Sequence, residues 1–277
     1  MKVTLCYFPK FPLLIPAILV VLVIRLIRPW LLVRWSTLQS SRIGHFSLNT
    51  EVYYCEREAG INLPSQRYVD CFFMDQVIAN KQLANMWKRV LHIWPNWTRS
   101  PIYLANWLIP GKANHILPDR IEGDRDIHNL VDHCPPHLNF NSKETDRGEA
   151  GLHMMGIPTG VPFVCLMVRD SAYLDTHSPN QDWSYHNYRN SDIQNYVLAA
   201  EELAERGYFV IRMGAKVHES IKSDHPRVID YATNGMRNDF MDIYLGAKCK
   251  FCITSGLGFD AVPVIFRSHI VSVGELP

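Results

Sequence analysis

The sequence predicts an α/β fold: a doubly wound domain of Rossmann-like type in the second half, a less regular α/β domain before it, and an N-terminal hydrophobic helix ahead of both. Three observations predict this. Short apolar runs alternate with amphipathic segments from Val161 to Pro277, as in a parallel sheet covered by helices. The stretch from Lys250 to Val264, KFCITSGLGFDAVPV, reads as strand, glycine turn and helix start. A long apolar stretch, Phe11 to Val33, stands ahead of both. The boundaries follow as a membrane-associating segment over 1–35, an α/β domain over 36–157 and a second, ligand-binding α/β domain over 158–277.

Composition is consistent with this and narrows the function. A chain of 277 residues, 47% hydrophobic and 20% charged, has the makings of a globular core and not of a disordered chain. A formal net charge of +1 lends no support to a nucleic-acid partner, which calls for a basic domain. Seven cysteines scattered at Cys6, Cys55, Cys71, Cys134, Cys165, Cys249 and Cys252 do not form a disulfide framework, so a reducing cytosol is the simpler setting. Cys249 and Cys252 have C-x-x-C spacing, but no second pair completes a zinc site, and structural thiols are the expectation.

The apolar stretch FPLLIPAILVVLVIRLIRPWLLV is long enough to cross a bilayer but is interrupted by Pro16, Arg25, Arg28 and Pro29. A spanning helix, an interfacial helix and a core helix compete; a signal peptide is disfavoured because no small-residue cleavage site follows. Arg25, Arg28 and Arg34 on its carboxyl side, against Lys2 and Lys10 on the other, favour a body of the chain on the cytoplasmic side of a membrane.

In the first domain, Leu31 to Trp35 reads as a strand. Arg42-Ile43-Gly44-His45 opens a helix with Phe46, Leu48, Val52 and Tyr53 on its apolar face and Glu51, Glu56 and Glu58 on the other. Gly44 allows close approach of a substrate. A histidine's unperturbed pKa lies near neutrality, which makes His45 a candidate base, although a lone histidine beside a glycine is more often structural. Tyr68 to Asp75 reads as a strand and Gln76 to Val90 as a helix. The proline- and tryptophan-rich stretch to Gly111 has no regular reading. Asp119 to Gly151, with His128, His133 and His137, reads as a charged surface segment; these and His153 lack the spacing of a zinc pair, so no metal site is expected. Gly156 to Pro162 is the expected linker.

The second domain alternates cleanly. Strands are expected at Phe163–Val168, Tyr208–Met213, Val228–Asp230, Phe251–Thr254 and Ile270–Val273. Helices are expected at Asn190–Arg206, with Ile193, Val197, Leu198 and Leu203 apolar, at Phe240–Ala247, and from the glycine turn to Phe266. In such sheets ligands sit outside the carboxyl ends of the strands. There lie Arg169 and Asp170, Arg212 and Gly214, and Ser255, Gly256, Leu257 and Gly258. Glycines and the free amides of a helix start suit a phosphate, and two arginines beside them suit a diphosphate. The competing reading of each arginine is a salt bridge with an aspartate such as Asp170 or Asp230.

The segments VCLMVRDSAYL, HNYRNSDIQNYVLAAEELAERGYFVIRMG and VIDYATNGMRNDFMDIYLGAKCKFCITSGLGFDAVP resemble the donor half of bacterial surface-polysaccharide glycosyltransferases, and more distantly two-domain GT-B transferases such as fucosyl- and heptosyltransferases. Arg42 to His45 resembles the first strand-to-helix element of their acceptor domain. The resemblance covers most of Val161 to Pro277 and is weaker before it.

It implies a GT-B-like fold of two Rossmann-like domains, the second one shortened, and a membrane-associated transferase that uses a nucleotide-diphosphate sugar as donor, with no cofactor and no catalytic metal, and a lipid-linked or polysaccharide acceptor. Arg169, Arg212, Gly214 and Ser255 to Gly258 would hold the diphosphate, Tyr188 and Arg189 would close over the donor, and Asp170 or His45 would be the base. One departure is that the chain stops at Pro277, just past the fifth strand, where a full donor domain continues. That stop keeps a shortened, inactive binding protein as an alternative; a nucleotide-sugar epimerase of the same fold is another, disfavoured by the Phe11 to Val33 segment because it needs no acceptor and so no anchor.

Overall fold

The computed structural model describes residues 11–117, 126–177 and 182–274. Lys2, Lys10, Cys6, the start of the charged segment at Asp119, and Pro277 lie outside them. Two parallel sheets organise the chain. The first is built from β1 (Leu32–Leu38), β2 (Tyr68–Met74) and β3 (His92–Ile93), in that spatial order. The Ile116 backbone bridges Trp35 on the free edge of β1, so the sheet begins a second wing there. The second sheet contains β4 (Phe163–Met167), β5 (Phe209–Met213), β6 (Val228–Asp230), β7 (Phe251–Thr254) and β8 (His269–Ser272), ordered β6-β5-β4-β7-β8. Renumbered within the sheet this is 3-2-1-4-5, the doubly wound order, with its switch point between β4 and β7. The expected strands of this half all form, within a residue or two at their ends.

Helices follow the strands. α1 (Phe11–Ile27) leads into β1, and α2 (Ile43–Glu58) returns from it. After β2 comes α3 (Lys81–Val90), shorter than expected because Asn80 caps it, its side chain accepting from Leu83 N–H at 2.9 Å. The stretch that had no reading holds α4 (Arg99–Leu108), which packs against α1. The expected surface segment after Pro136 is in part a helix, α5 (Ser142–Met154). Its capping box joins Asn141 and Glu144 reciprocally, and its Gly148 and Gly151 admit Tyr244 and Met241 so closely that a Cβ would collide with either. In the second domain lie α6 (Ala172–His177), α7 (Val197–Glu205), α8 (Asp239–Lys248) and α9 (Ala261–Ile265). The helix expected from Asn190 starts as a 3₁₀ turn at Ile193–Tyr196. Leu198, expected inside, is 81% exposed, because Ala200 and Ala204 are the residues that face the sheet.

The two halves share a core. Leu38, Phe46, Leu83 and Trp87 of the first pack with Ile243, Val262 and Ile265 of the second, through α2 against α9 and α3 against α8. One sequence expectation for α2 is overturned here. Glu51 and Glu56, expected on a solvated face, are buried. Glu51 accepts from Arg267 at 2.7 Å and pairs with His137 at 3.0 Å, and Arg267 also donates to the carbonyls of Cys134, Pro135 and Ile265. A charge held by two basic partners satisfies the rule that buried carboxylates are paired, so the periodicity of α2 misleads only because its second face meets protein.

Candidate functional site at the meeting of the two sheets

Both sheets turn their carboxyl edges toward one junction, and a glycine from each touches there. A Cβ on Gly44, in the first turn of α2, would stand 2.9 Å from the Gly258 carbonyl oxygen and 3.1 Å from its Cα. Any side chain would push the edges apart. α2 begins after Arg42, an extended residue whose side chain makes no cap, and its first turn holds no acid. The opening amides of a four-turn helix therefore lie uncapped by side chains beside the second sheet's glycine turn, with the positive end of the helix dipole behind them.

The glycine turn itself is largely satisfied from within. Gly256, at φ +80°, takes the left-handed conformation that favours glycine. Ser255 N–H donates to the Met167 carbonyl, Gly256 N–H to Thr254 Oγ1, and Leu257 N–H to Asp260 Oδ2. Asp260 also accepts from Thr254 Oγ1 at 2.7 Å, which locks the turn onto the helix start. Ser255 Oγ accepts from Arg169 N–H at 2.8 Å and ties β7 to β4 at the switch point. The turn thus supplies shape and close approach more than free donors.

The predicted side chains divide into two groups. Arg169, Tyr188 and Arg189 gather at the turn. Arg189 donates to the Gly256 carbonyl at 2.8 Å, and the Nε of Arg169 is buried without a partner. Burial, and then the neighbouring charge of Arg189, push the Arg169 pKa down. Two guanidinium groups held near each other in this way are the arrangement that an anion between them would relieve.

The others are engaged elsewhere. Arg212 is 1% exposed and lies within β5, in register with Leu166 and Asp230, its Nη1 3.5 Å from Asp230 Oδ1. It faces the β6 aspartate, as the salt-bridge reading had it. Gly214 accommodates Val217, whose Cγ1 would lie 2.5 Å from an added Cβ. Asp170 accepts from Ala172 N–H and from His218 N–H, both at 3.0 Å, and so pins two loops together. His45 is half-buried in the first turn of α2, its Nδ1 3.5 Å from Asn49 Nδ2, one residue from the glycine contact.

Sequence reading missed two further features. Ser171 Oγ donates to Asp175 at 2.7 Å and lies 3.0 Å from His218 Nε2, an exposed cluster on the loops after β4 and β5 that no spacing announces. A cavity of about 460 Å³ opens beside the end of β1, lined by Trp35, Thr37, Gln76, Arg99, Tyr103 and Leu117. The Trp35 indole N–H is fully buried there with no acceptor.

No family model matches the chain, and no curated protein does. Among solved structures, the chain is similar to a glycosyl transferase family 9 protein from Veillonella parvula, with a TM-score of 0.50 at 12% identity over 86% of this chain and 79% of that one. It is also similar to the ADP-heptose lipopolysaccharide heptosyltransferase II of E. coli, with a TM-score of 0.46 at 13% identity over 86% and 84%. At these identities the likeness speaks to fold alone. It rests on the Veillonella protein, and what the two share is a Rossmann-like α/β architecture of parallel sheets.

Proposed function

We propose that this chain is a glycosyltransferase of GT-B type, transferring a hexosyl or deoxyhexosyl group from a nucleotide-diphosphate sugar to a lipid-linked or polysaccharide acceptor without a catalytic metal. The observation that carries the reading is the contact of Gly44 with Gly258. It sets an uncapped helix N-terminus against the glycine turn at the switch point, where Arg169 and Arg189 lie close together. A diphosphate is the ligand that such a collection of amides and guanidinium groups fits. Tyr188, 66% exposed, is free to fold over the donor in this reading.

In the reaction, the acceptor hydroxyl gives its proton to His45 as its oxygen forms a bond to the anomeric carbon. The bond from that carbon to the diphosphate oxygen breaks, and the nucleoside diphosphate leaves with the electron pair. Arg169, Arg189 and the α2 dipole stabilise the charge that grows on it. His45 is preferred to Asp170 as base because both oxygens of Asp170 already accept backbone N–H groups.

The acceptor reading rests on the first domain. α1 buries Ala17, Val21 and Ile24 against protein and exposes Ile15, Leu19, Leu22, Val23 and Leu26, while α4 adds exposed Trp107 and Leu108. No described helix is long and apolar enough to cross a membrane. A two-helix apolar surface suits an in-plane attachment, here to the cytoplasmic face of the inner membrane. Arg25 and Arg34 are held by Asn106 and Asp70, which leaves Arg28 and Lys112 exposed for lipid headgroups. α4 carries the cavity residues Arg99 and Tyr103 as well as this apolar surface, so a headgroup could enter the cavity while its chain stays in lipid.

The test is thermal stabilisation of the full chain by a panel of nucleotide-diphosphate sugars, followed by transfer of label from the best one into a lipid extract. A donor at one hundred times its Kd adds about 2.7 kcal/mol. No stabilisation by any member, with no labelled product, would remove the reading and favour a binding protein without turnover.

A further inference from the structure

The fold gathers three thiols that the sequence keeps apart. Cys165 on β4 stands in register with Cys252 on β7, and Cys249 follows the last turn of α8. All three are buried, at 0%, 6% and 0% exposure for Cys165, Cys249 and Cys252. Their sulfurs all lie within 4.8 Å of one another, with Cys249 and Cys252 at 3.4 Å. Three sulfurs each about 2.3 Å from a common metal ion form a triangle with sides of about 4 Å, so the spacing needs only small adjustment. C-x-x-C alone showed two ligands; the third comes from the neighbouring strand, 84 positions before Cys249.

The surroundings favour a cation. The triad sits at the carboxyl end of α8, where the helix dipole is negative, and Cys165 and Cys249 point their sulfurs at the Leu245 and Gly246 carbonyls, at 3.6 and 3.3 Å.

We propose that Cys165, Cys249 and Cys252 form a trigonal thiol site for a soft monovalent cation of the copper(I) class. Sulfur-only ligation selects soft ions, and three buried ligands, with no fourth grouped with them among the described residues, suit copper(I) better than zinc, which closes a tetrahedron in structural sites. A bound ion would fasten β4, β7 and α8 together, on the two strands that the Ser255–Arg169 tie joins at their carboxyl ends. Thiols that ligate release their protons on binding, so affinity rises with pH.

The experiment uses the full chain, reduced and freed of metal, titrated with copper(I) held by a chromophoric chelator. The parent is expected to withdraw one equivalent, with a rise in melting temperature and an X-ray absorption spectrum of three sulfur ligands. Cys249→Ala and Cys252→Ser should each lower affinity at least tenfold, while Cys71→Ala and a Cys55→Ala, Cys134→Ala double variant retain it. Should the Cys249 variant fail to fold, the Cys252→Ser variant and the absorption spectrum still decide. The proposal is overturned by no withdrawal of copper, by withdrawal that persists in both triad variants, by loss that follows Cys55 and Cys134, or by a Cys249–Cys252 disulfide as the stable form.

Discussion

Replacing Gly44 with alanine places a methyl carbon 2.9 Å from the Gly258 carbonyl oxygen and 3.1 Å from its Cα, both backbone atoms that cannot rotate away. Ordinary contacts of this kind begin near 3.4 Å, so the two sheet edges must separate by roughly half an ångström. Overpacking of this sort costs about 1–3 kcal/mol. Alanine recovers up to about 1 kcal/mol as the better helix former, less in a first turn than in a helix interior. The net loss is therefore about 1–2 kcal/mol, roughly 2–8 °C in a chain of this size. The reverse substitution makes the control. A Cβ on Gly258 meets Gly44 N at 3.6 Å, an ordinary contact, and Gly258 is not among the glycines with positive φ. Gly258→Ala should melt within about a degree of the parent or slightly above it, through the entropy of the unfolded chain. Differential scanning calorimetry of the two variants reads the asymmetry, and titration with the best nucleotide sugar reads the site. Equal melting temperatures for the pair, or a Gly44→Ala variant as stable and as competent to bind as the parent, would refute the claim that the junction depends on bare backbone at Gly44.

Four further outcomes follow from the same geometry. Arg189→Ala should leave folding intact and weaken nucleotide-sugar binding by about 1.5–3 kcal/mol, measured by calorimetry, since it removes a charged donor at the turn. Arg212→Ala should do the opposite, lowering stability in a urea titration by about 3–5 kcal/mol by leaving Asp230 without its buried partner. Glu51→Gln should likewise destabilise the chain by several kcal/mol, because Arg267 and His137 both lose their carboxylate. Burial pulls the His137 pKa down, but the hydrogen bond and charge of Glu51, with Glu58, outweigh it and leave the pKa raised. Its contribution is therefore complete below the unfolded histidine pKa of about 6.5 and is lost as pH rises through the folded value, so the melting difference between parent and His137→Gln should shrink toward alkaline pH.

The second sheet was legible almost residue by residue because its strands are continuous apolar runs that end at polar residues, and each is followed by a turn or a helix of matching period. The glycine turn was legible for the same reason. Less visible was anything that depends on contact between distant segments. Glu51 looks solvent-facing until Arg267, 216 positions later, arrives beside it. Arg212 shares its position near a strand end with Arg169, and only the pairing of β5 with β6 shows that it faces Asp230. α5 did carry a signal, the N-x-x-E spacing of Asn141 and Glu144, masked by charge and by two glycines that turn out to be sockets for Tyr244 and Met241. The closeness of Gly44 to Gly258 had no sequence signature, although each glycine had been singled out by itself.

The core shared by the two sheets bears on how this protein can be dissected. Ile243, Val262 and Ile265 have no exposed surface, and much of what covers them comes from the other half of the chain. Each would give up about 1.5–3 kcal/mol if laid bare. A cut at Gly156–Pro162 would therefore yield two fragments with complementary sticky faces, prone to associate with each other or to precipitate alone. Chimeras that exchange only the second half with a distant relative should fail unless α2 and α3 are exchanged with it. The smallest heritable and engineerable unit is the whole pair of sheets, and melting should be a single transition even though the architecture shows two.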